Sequence, residues 1–97
     1  WFVYSSTTDS PQGMGNRDVI SDFDGNGGAD GDEINLVAID GNLNMIGHQA
    51  LTAGQVSYNT GNGNLNVNVI GDPGAIDLQI SLAGAPPVNL ADDIILA

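Results

Sequence analysis

The sequence predicts an all-β domain, and three observations carry that prediction. Apolar and polar residues alternate with a period of two over three successive runs in the C-terminal half. Fourteen glycines and many asparagines punctuate the chain, so turns are frequent. Glu, Lys and Arg, which favour helices, are nearly absent: one Lys or Arg is present in 97 residues.

Taken in order, Phe2-Val3-Tyr4 forms a short strand, and Trp1 and Tyr4 cover one end of the core. Ser10 to Asn16, with Pro11, Gly13 and Gly15, is a loop. Asp18 to Phe23 predicts a second strand centred on Ile20, and Ile34 to Val37 a third. Gly47 to Gly54 holds one helical turn around Gln49-Ala50-Leu51. The periodic runs follow: Val56 and Tyr58, then Leu65, Val67 and Val69, then Ile76, Leu78, Ile80 and Leu82. Each apolar set is interleaved with polar residues, so the runs predict half-buried strands in an antiparallel meander. Thr60-Gly61-Asn62-Gly63-Asn64 is the hairpin loop between the first two. Gly71-Asp72-Pro73-Gly74 turns the chain before the third. Ala85-Pro86-Pro87 ends the meander, because proline has no N–H for a ladder. A short turn starting at Asn89 or Asp92 precedes the apolar end Ile94-Ile95-Leu96.

The charge balance narrows the function. Twelve acids against Arg17 alone make a formal net charge of −11. Binding to nucleic acid through phosphates needs clustered Lys and Arg, and docking on anionic lipid needs the same, so neither is expected. With no cysteine there are no disulfides, thiolate zinc sites or thiol chemistry. No apolar run approaches the roughly 18 residues of a membrane span. The chain starts at Trp1 without a signal-peptide pattern and reads as a piece of a longer polypeptide. A domain this small has a marginal core, and bound metal is a common substitute for disulfides in stapling it.

Six of the twelve acids crowd between Asp18 and Glu33. Within that stretch, Asp24-Gly25-Asn26-Gly27-Gly28-Ala29-Asp30-Gly31-Asp32 places acids and an amide among glycines. Such a loop can fold its oxygens toward one point, as Ca²⁺ requires with its six to eight oxygen ligands at about 2.3–2.6 Å. The candidate metal ligands are Asp22, Asp24, Asn26, Asp30 and Asp32. The loop is not an EF-hand, since its sixth position is Ala29 and its twelfth Asn35. Magnesium suits it less well than calcium, because its small octahedron uses fewer protein oxygens. The plain alternative is a solvated acidic turn. Asp72 with Asp77 is a second candidate pair, better read as a turn acid followed by a solvent-facing strand acid.

Catalytic constellations are missing. His48 is the only histidine and sits in a loop, and no serine lies in a Gly-x-Ser-x-Gly elbow. Gly25-x-Gly27-Gly28 lacks the strand-then-helix setting of a phosphate loop. Asp24, Asp30 and Asp32 share one loop instead of facing each other across a cleft, so glycosidase chemistry is not expected. No enzymatic activity is predicted.

The order of segments resembles a known family. Phe2-Val3-Tyr4 with Asp9-Ser10, Asp18 to Phe23, Asp32-Glu33-Ile34-Asn35-Leu36, Ile39-Asp40 and Ile46-Gly47 are followed by Ala53 to Tyr58, Ile76 to Gly84 and Leu90 to Leu96. Together they look like the C-terminal region of serralysin-type metalloproteases and related RTX (haemolysin-type calcium-binding) proteins. The resemblance implies a β-roll or β-sandwich that caps upstream Gly-Gly-x-Gly-x-Asp calcium repeats. It also implies type I secretion on an uncleaved C-terminal signal, which Asp93-Ile94-Ile95-Leu96 would match. The family's acidic calcium-contacting stretch maps onto Asp22 and Asp32, with Asp24, Asn26 and Asp30 in a longer loop.

The chain departs from the family in three places. It has no complete nonapeptide repeat and no His-Glu-x-x-His, so neither the calcium ladder nor protease activity carries over. The Asp-x-Asn-Gly-Asp-Gly turn that often precedes the last long strand is reduced to Gly71-Asp72-Pro73-Gly74-Ala75. The expectation is one domain over residues 1–97: a secreted or cell-surface, non-enzymatic, calcium-binding cap with an export signal. Its partners would be Ca²⁺, upstream domains of its own polypeptide and the type I apparatus. The alternative is an extracellular adhesion or carbohydrate-binding β-module.

Overall fold

A computed structural model of the chain describes residues 2–25, 31–39, 43–47, 54–69 and 76–96. They form a mainly-β fold of two sheets with one short helix. The strands are β1 (Phe2–Val3), β2 (Asp18–Ile20), β3 (Ile34–Asn35), β4 (Asn44–Gly47), β5 (Gln55–Asn59), β6 (Asn64–Asn68), β7 (Leu78–Leu82) and β8 (Ile94–Ile95). Helix α1 spans Leu90–Asp93, and a single 3-10 turn spans Thr7–Asp9. Among the described residues no helix is long and apolar enough to cross a membrane.

The periodic runs become the meander β5-β6-β7, antiparallel throughout. Its register pairs Val56 with Val67, Tyr58 with Leu65, Leu65 with Ile80 and Val67 with Leu78, which puts these six residues on one face, while Val69 and Ile76 of the expected runs fall outside the strands. All six side chains are buried, together with Leu82. Tyr4, Ile20, Phe23, Ile34, Leu36, Leu43 and Ile94 join them, so both sheets feed one apolar cluster.

The hairpin loop follows from asparagine chemistry. The Asn59 Oδ1 accepts the Gly61 and Asn62 amides, and the Asn62 Oδ1 accepts the Asn64 amide. Gly63 has φ +75° and lies against β7, where a Cβ would run into the Leu82 carbonyl oxygen. Only glycine meets both conditions.

The remaining strands join in parallel, which the sequence pattern does not announce. Strand β2 adds to β7 and β4 to β5, giving a five-stranded sheet in the order β2-β7-β6-β5-β4. Strands β1, β3 and β8 form a separate parallel sheet with β3 in the centre.

Several expected elements are shorter. The strand expected over 18–23 ends at Ile20, after which Phe23 turns into the core. That expected over 34–37 ends at Asn35, because the Asn35 Oδ1 accepts the Val37 amide and bends the chain into a turn. The turn near Asn89 is α1, with the Asn89 Oδ1 capping the Ala91 amide. The helical turn at Gln49-Ala50-Leu51, the 71–74 turn and Trp1 lie outside the described residues.

The outer face of the meander is more enclosed than alternation alone implies, since Ser57, Asn68 and Gln79 are buried. For Gln79 the cause is the 10–17 segment. The Gly13 amide and the Arg17 Nη1 both donate to its Oε1, and its Nε2 donates to Asn66 Oδ1.

Candidate functional site

The acidic loop leaves the core at Phe23 and returns to it at Ile34, both buried. Its two ends are joined by a reciprocal pair of hydrogen bonds. The Asp32 amide donates to the Asp24 carbonyl (2.8 Å), and the Asp24 amide donates to the Asp32 Oδ2 (2.9 Å). Immediately beyond, the Phe2 amide donates to the Glu33 carbonyl (2.7 Å) and ties the exit to β1. Of the predicted ligands, Asp24 and Asp32 are therefore brought together. Asp22 is exposed one residue before Phe23, and Asn26 and Asp30 lie outside the described residues.

The base of the loop rests on the end of the chain. A Cβ on Gly25 would lie 2.5 Å from the Phe23 ring, 2.6 Å from Asp93 Oδ2 and 3.0 Å from the Pro87 carbonyl oxygen. Asp93 is 1% exposed, and its Oδ2 accepts the Asn89 amide at 2.7 Å. In the sequence, Asp93 stands out only as part of an acidic-then-apolar ending. A burial signal was present in its apolar neighbours Ile94 and Ile95, but the adjoining Asp92 is solvent-facing and masks it.

Another pair of acids, Asp9 and Asp18, lies near Tyr4, the residue that follows β1. The Tyr4 hydroxyl donates to Asp18 Oδ2 at 3.2 Å and so bridges the two sheets. Burial, then the Asp18 and Asp9 carboxylates, push the Tyr4 phenol well above its ordinary value. Asp9 closes the 3-10 turn as a capping box, its Oδ2 accepting the Ser5 and Ser6 amides. Phe2, Val3, Tyr4, Asp9 and Asp18 line a cleft of about 330 Å³. No sequence motif announces this cleft, because its members are spread over seventeen residues without a recognisable spacing.

Asp77 of the second candidate pair is half-buried, and its Oδ2 accepts the Val69 amide at 2.9 Å. Asp72 and His48 lie outside the described residues. Among the described residues, no three His, Cys, Asp or Glu side chains stand close enough to hold a metal ion. The loop base offers two carboxylates and backbone carbonyls, hard oxygen donors that fit calcium in kind. No protein-family model matches the chain, and no curated protein matches it significantly.

Proposed function

We propose that this chain is a non-enzymatic, calcium-binding β domain, the C-terminal region of a secreted RTX or serralysin-like protein. In this reading it caps upstream β-roll repeats and carries a type I export signal. The observation that carries the proposal is the clasp between Asp24 and Asp32, which gathers the ends of a glycine-rich acidic loop at one place.

Carboxylates about 6 Å apart repel by about 0.7–3 kcal/mol per pair, depending on local dielectric. A calcium ion held by Asp24 and Asp32, with Asp22, Asn26 and Asp30 as the further candidates, would replace that repulsion with attraction and couple binding to folding. Sites of extracellular modules bind calcium with dissociation constants of about 0.1–1 mM. Such a site stays empty in the cytosol and fills outside, so folding follows export. The capping role is supported by the all-parallel sheet β1-β3-β8, whose outer strands have the strand direction needed to continue a parallel stack. The carbohydrate-binding alternative relies on the polar face of the meander, which is partly closed at Ser57, Asn68 and Gln79.

Calorimetric titration with Ca²⁺, paired with thermal melting, tests the reading. Free calcium at a hundredfold excess over its dissociation constant should raise the melting temperature by about 10–20 °C. Replacing both Asp30 and Asp32 with Asn should remove most of that rise. An unchanged melting temperature at millimolar calcium would sink the proposal.

A further inference from the structure

We propose that the cleft beside Tyr4 binds an alkylammonium group, such as a lysine side chain, supplied by another molecule. Its walls divide by chemistry. Phe2, Val3 and Tyr4 supply aromatic and aliphatic surface, and Asp9 and Asp18 supply two carboxylates. An aromatic face attracts a cation through its quadrupole, and most strongly where water is partly excluded. The aliphatic stem of an alkylammonium ion then lies on apolar surface while its charged head meets the acids.

The walls are held in place before any ligand arrives. The Phe2 ring packs on Phe23 at a centroid separation of 6.3 Å, and β1 is hydrogen-bonded into its sheet. The Tyr4 hydroxyl holds Asp18 through Oδ2, and the Ser5 and Ser6 amides hold Asp9 through its own Oδ2. Each carboxylate is thus fixed by one oxygen, Oδ2.

No lysine side chain is available within the chain to supply the cation. The one arginine, Arg17, extends its Nη1 to Gln79 instead. A hydrated metal ion gains little from Phe2 and Val3, and a neutral apolar ligand gains nothing from the two acids. An organic cation uses both. The cleft volume of about 330 Å³ is at the small end of the range of about 300–1,000 Å³ for ligand sites, which suits a single side chain. Val3, which lines the cleft, is 54% exposed. The net charge of −11 favours the approach of cations in general.

The test is an NMR titration of the whole domain in saturating calcium, which keeps the acidic loop in one state. The probes are n-butylammonium, its neutral counterpart n-butanol, and N-acetyl-lysine methylamide. Amide shifts of Phe2, Tyr4, Asp9 and Asp18 should saturate with n-butylammonium, about tenfold more tightly than with n-butanol. Asp18→Asn, which keeps an acceptor for Tyr4, should weaken that binding about tenfold, whereas Asp92→Asn, an equal loss of charge at an exposed helix position, should change it less than twofold. Binding of the lysine derivative at the same amides identifies a polypeptide as the source of the cation. Its exclusion while n-butylammonium binds identifies a free amine, and both results uphold the site. Equal binding of n-butanol, equal weakening by the two variants, or no saturable shift would overturn it.

Discussion

The buried carboxylate of Asp93 occupies the space that a side chain at Gly25 would need, its Oδ2 standing 2.6 Å from the position of a Cβ there. The acidic loop and helix α1 are therefore fitted to each other through the absence of one carbon. Gly25→Ala should destabilise the domain by about 1–3 kcal/mol, the usual cost of overpacking a closed site. Denaturant unfolding of the single variants and of Gly25→Ala with Asp93→Ala forms a double-mutant cycle. The alanine at 25 should cost less once the Asp93 carboxylate is gone, although the Phe23 ring at 2.5 Å keeps part of the penalty. Strict additivity would show that the two residues do not meet.

This relationship marks the limit of what the amino-acid sequence discloses. The meander was legible because Val56, Leu65, Val67, Leu78 and Ile80 repeat with the period of a pleated strand over runs long enough to show it. Strands β1, β3 and β8 have two residues each, too short to carry a period, and their parallel pairing joins segments up to sixty residues apart. Asp24 and Asp32 were legible as partners from glycine spacing. The burial of Asp93 depends on Gly25 arriving from the acidic loop, far away in the chain, and no local pattern encodes that.

Ser10 shows how a loop residue does the work of a strand. It is fully buried, its backbone carbonyl accepts the Gln79 amide, and its hydroxyl both donates to the Gln79 carbonyl and accepts the Asp18 amide. Ser10→Ala strands one donor and one acceptor at the edge of β7, and should cost about 1–3 kcal/mol. Urea unfolding measures the loss, and hydrogen exchange should show faster exchange at the Asp18 amide. A change within about 0.5 kcal/mol would mean that water replaces the hydroxyl at this edge.

Asn68 predicts the opposite sign. It is 1% exposed in β6, and among the described residues neither its Oδ1 nor its Nδ2 has a hydrogen-bond partner. A buried amide without partners costs about 1–3 kcal/mol relative to an apolar group of similar size. Asn68→Val removes that cost and adds a residue suited to a strand, so the melting temperature should rise by several degrees. A fall would show that the amide has a partner in solution, and the calcium titration of the variant would test whether that partner is an ion.

The last prediction concerns the alkaline limb of stability. The Tyr4 phenol is held above its ordinary value by burial and by the Asp18 and Asp9 carboxylates, so the folded domain favours the protonated phenol. A raised value in the folded state means that this contribution is complete below about pH 10, the unfolded value, and is lost as the pH climbs toward the folded one. Tyr4→Phe removes the titrating group along with its hydrogen bond to Asp18. The variant should therefore melt lower than the parent at pH 8, and the gap should narrow between about pH 10 and 11.5. Tyr58, whose phenol is also raised by burial and donates to the Pro86 carbonyl at 2.6 Å, keeps a residual alkaline slope in both proteins. Parallel melting curves over that whole range would show that Tyr4 ionises as freely in the folded domain as in the unfolded chain.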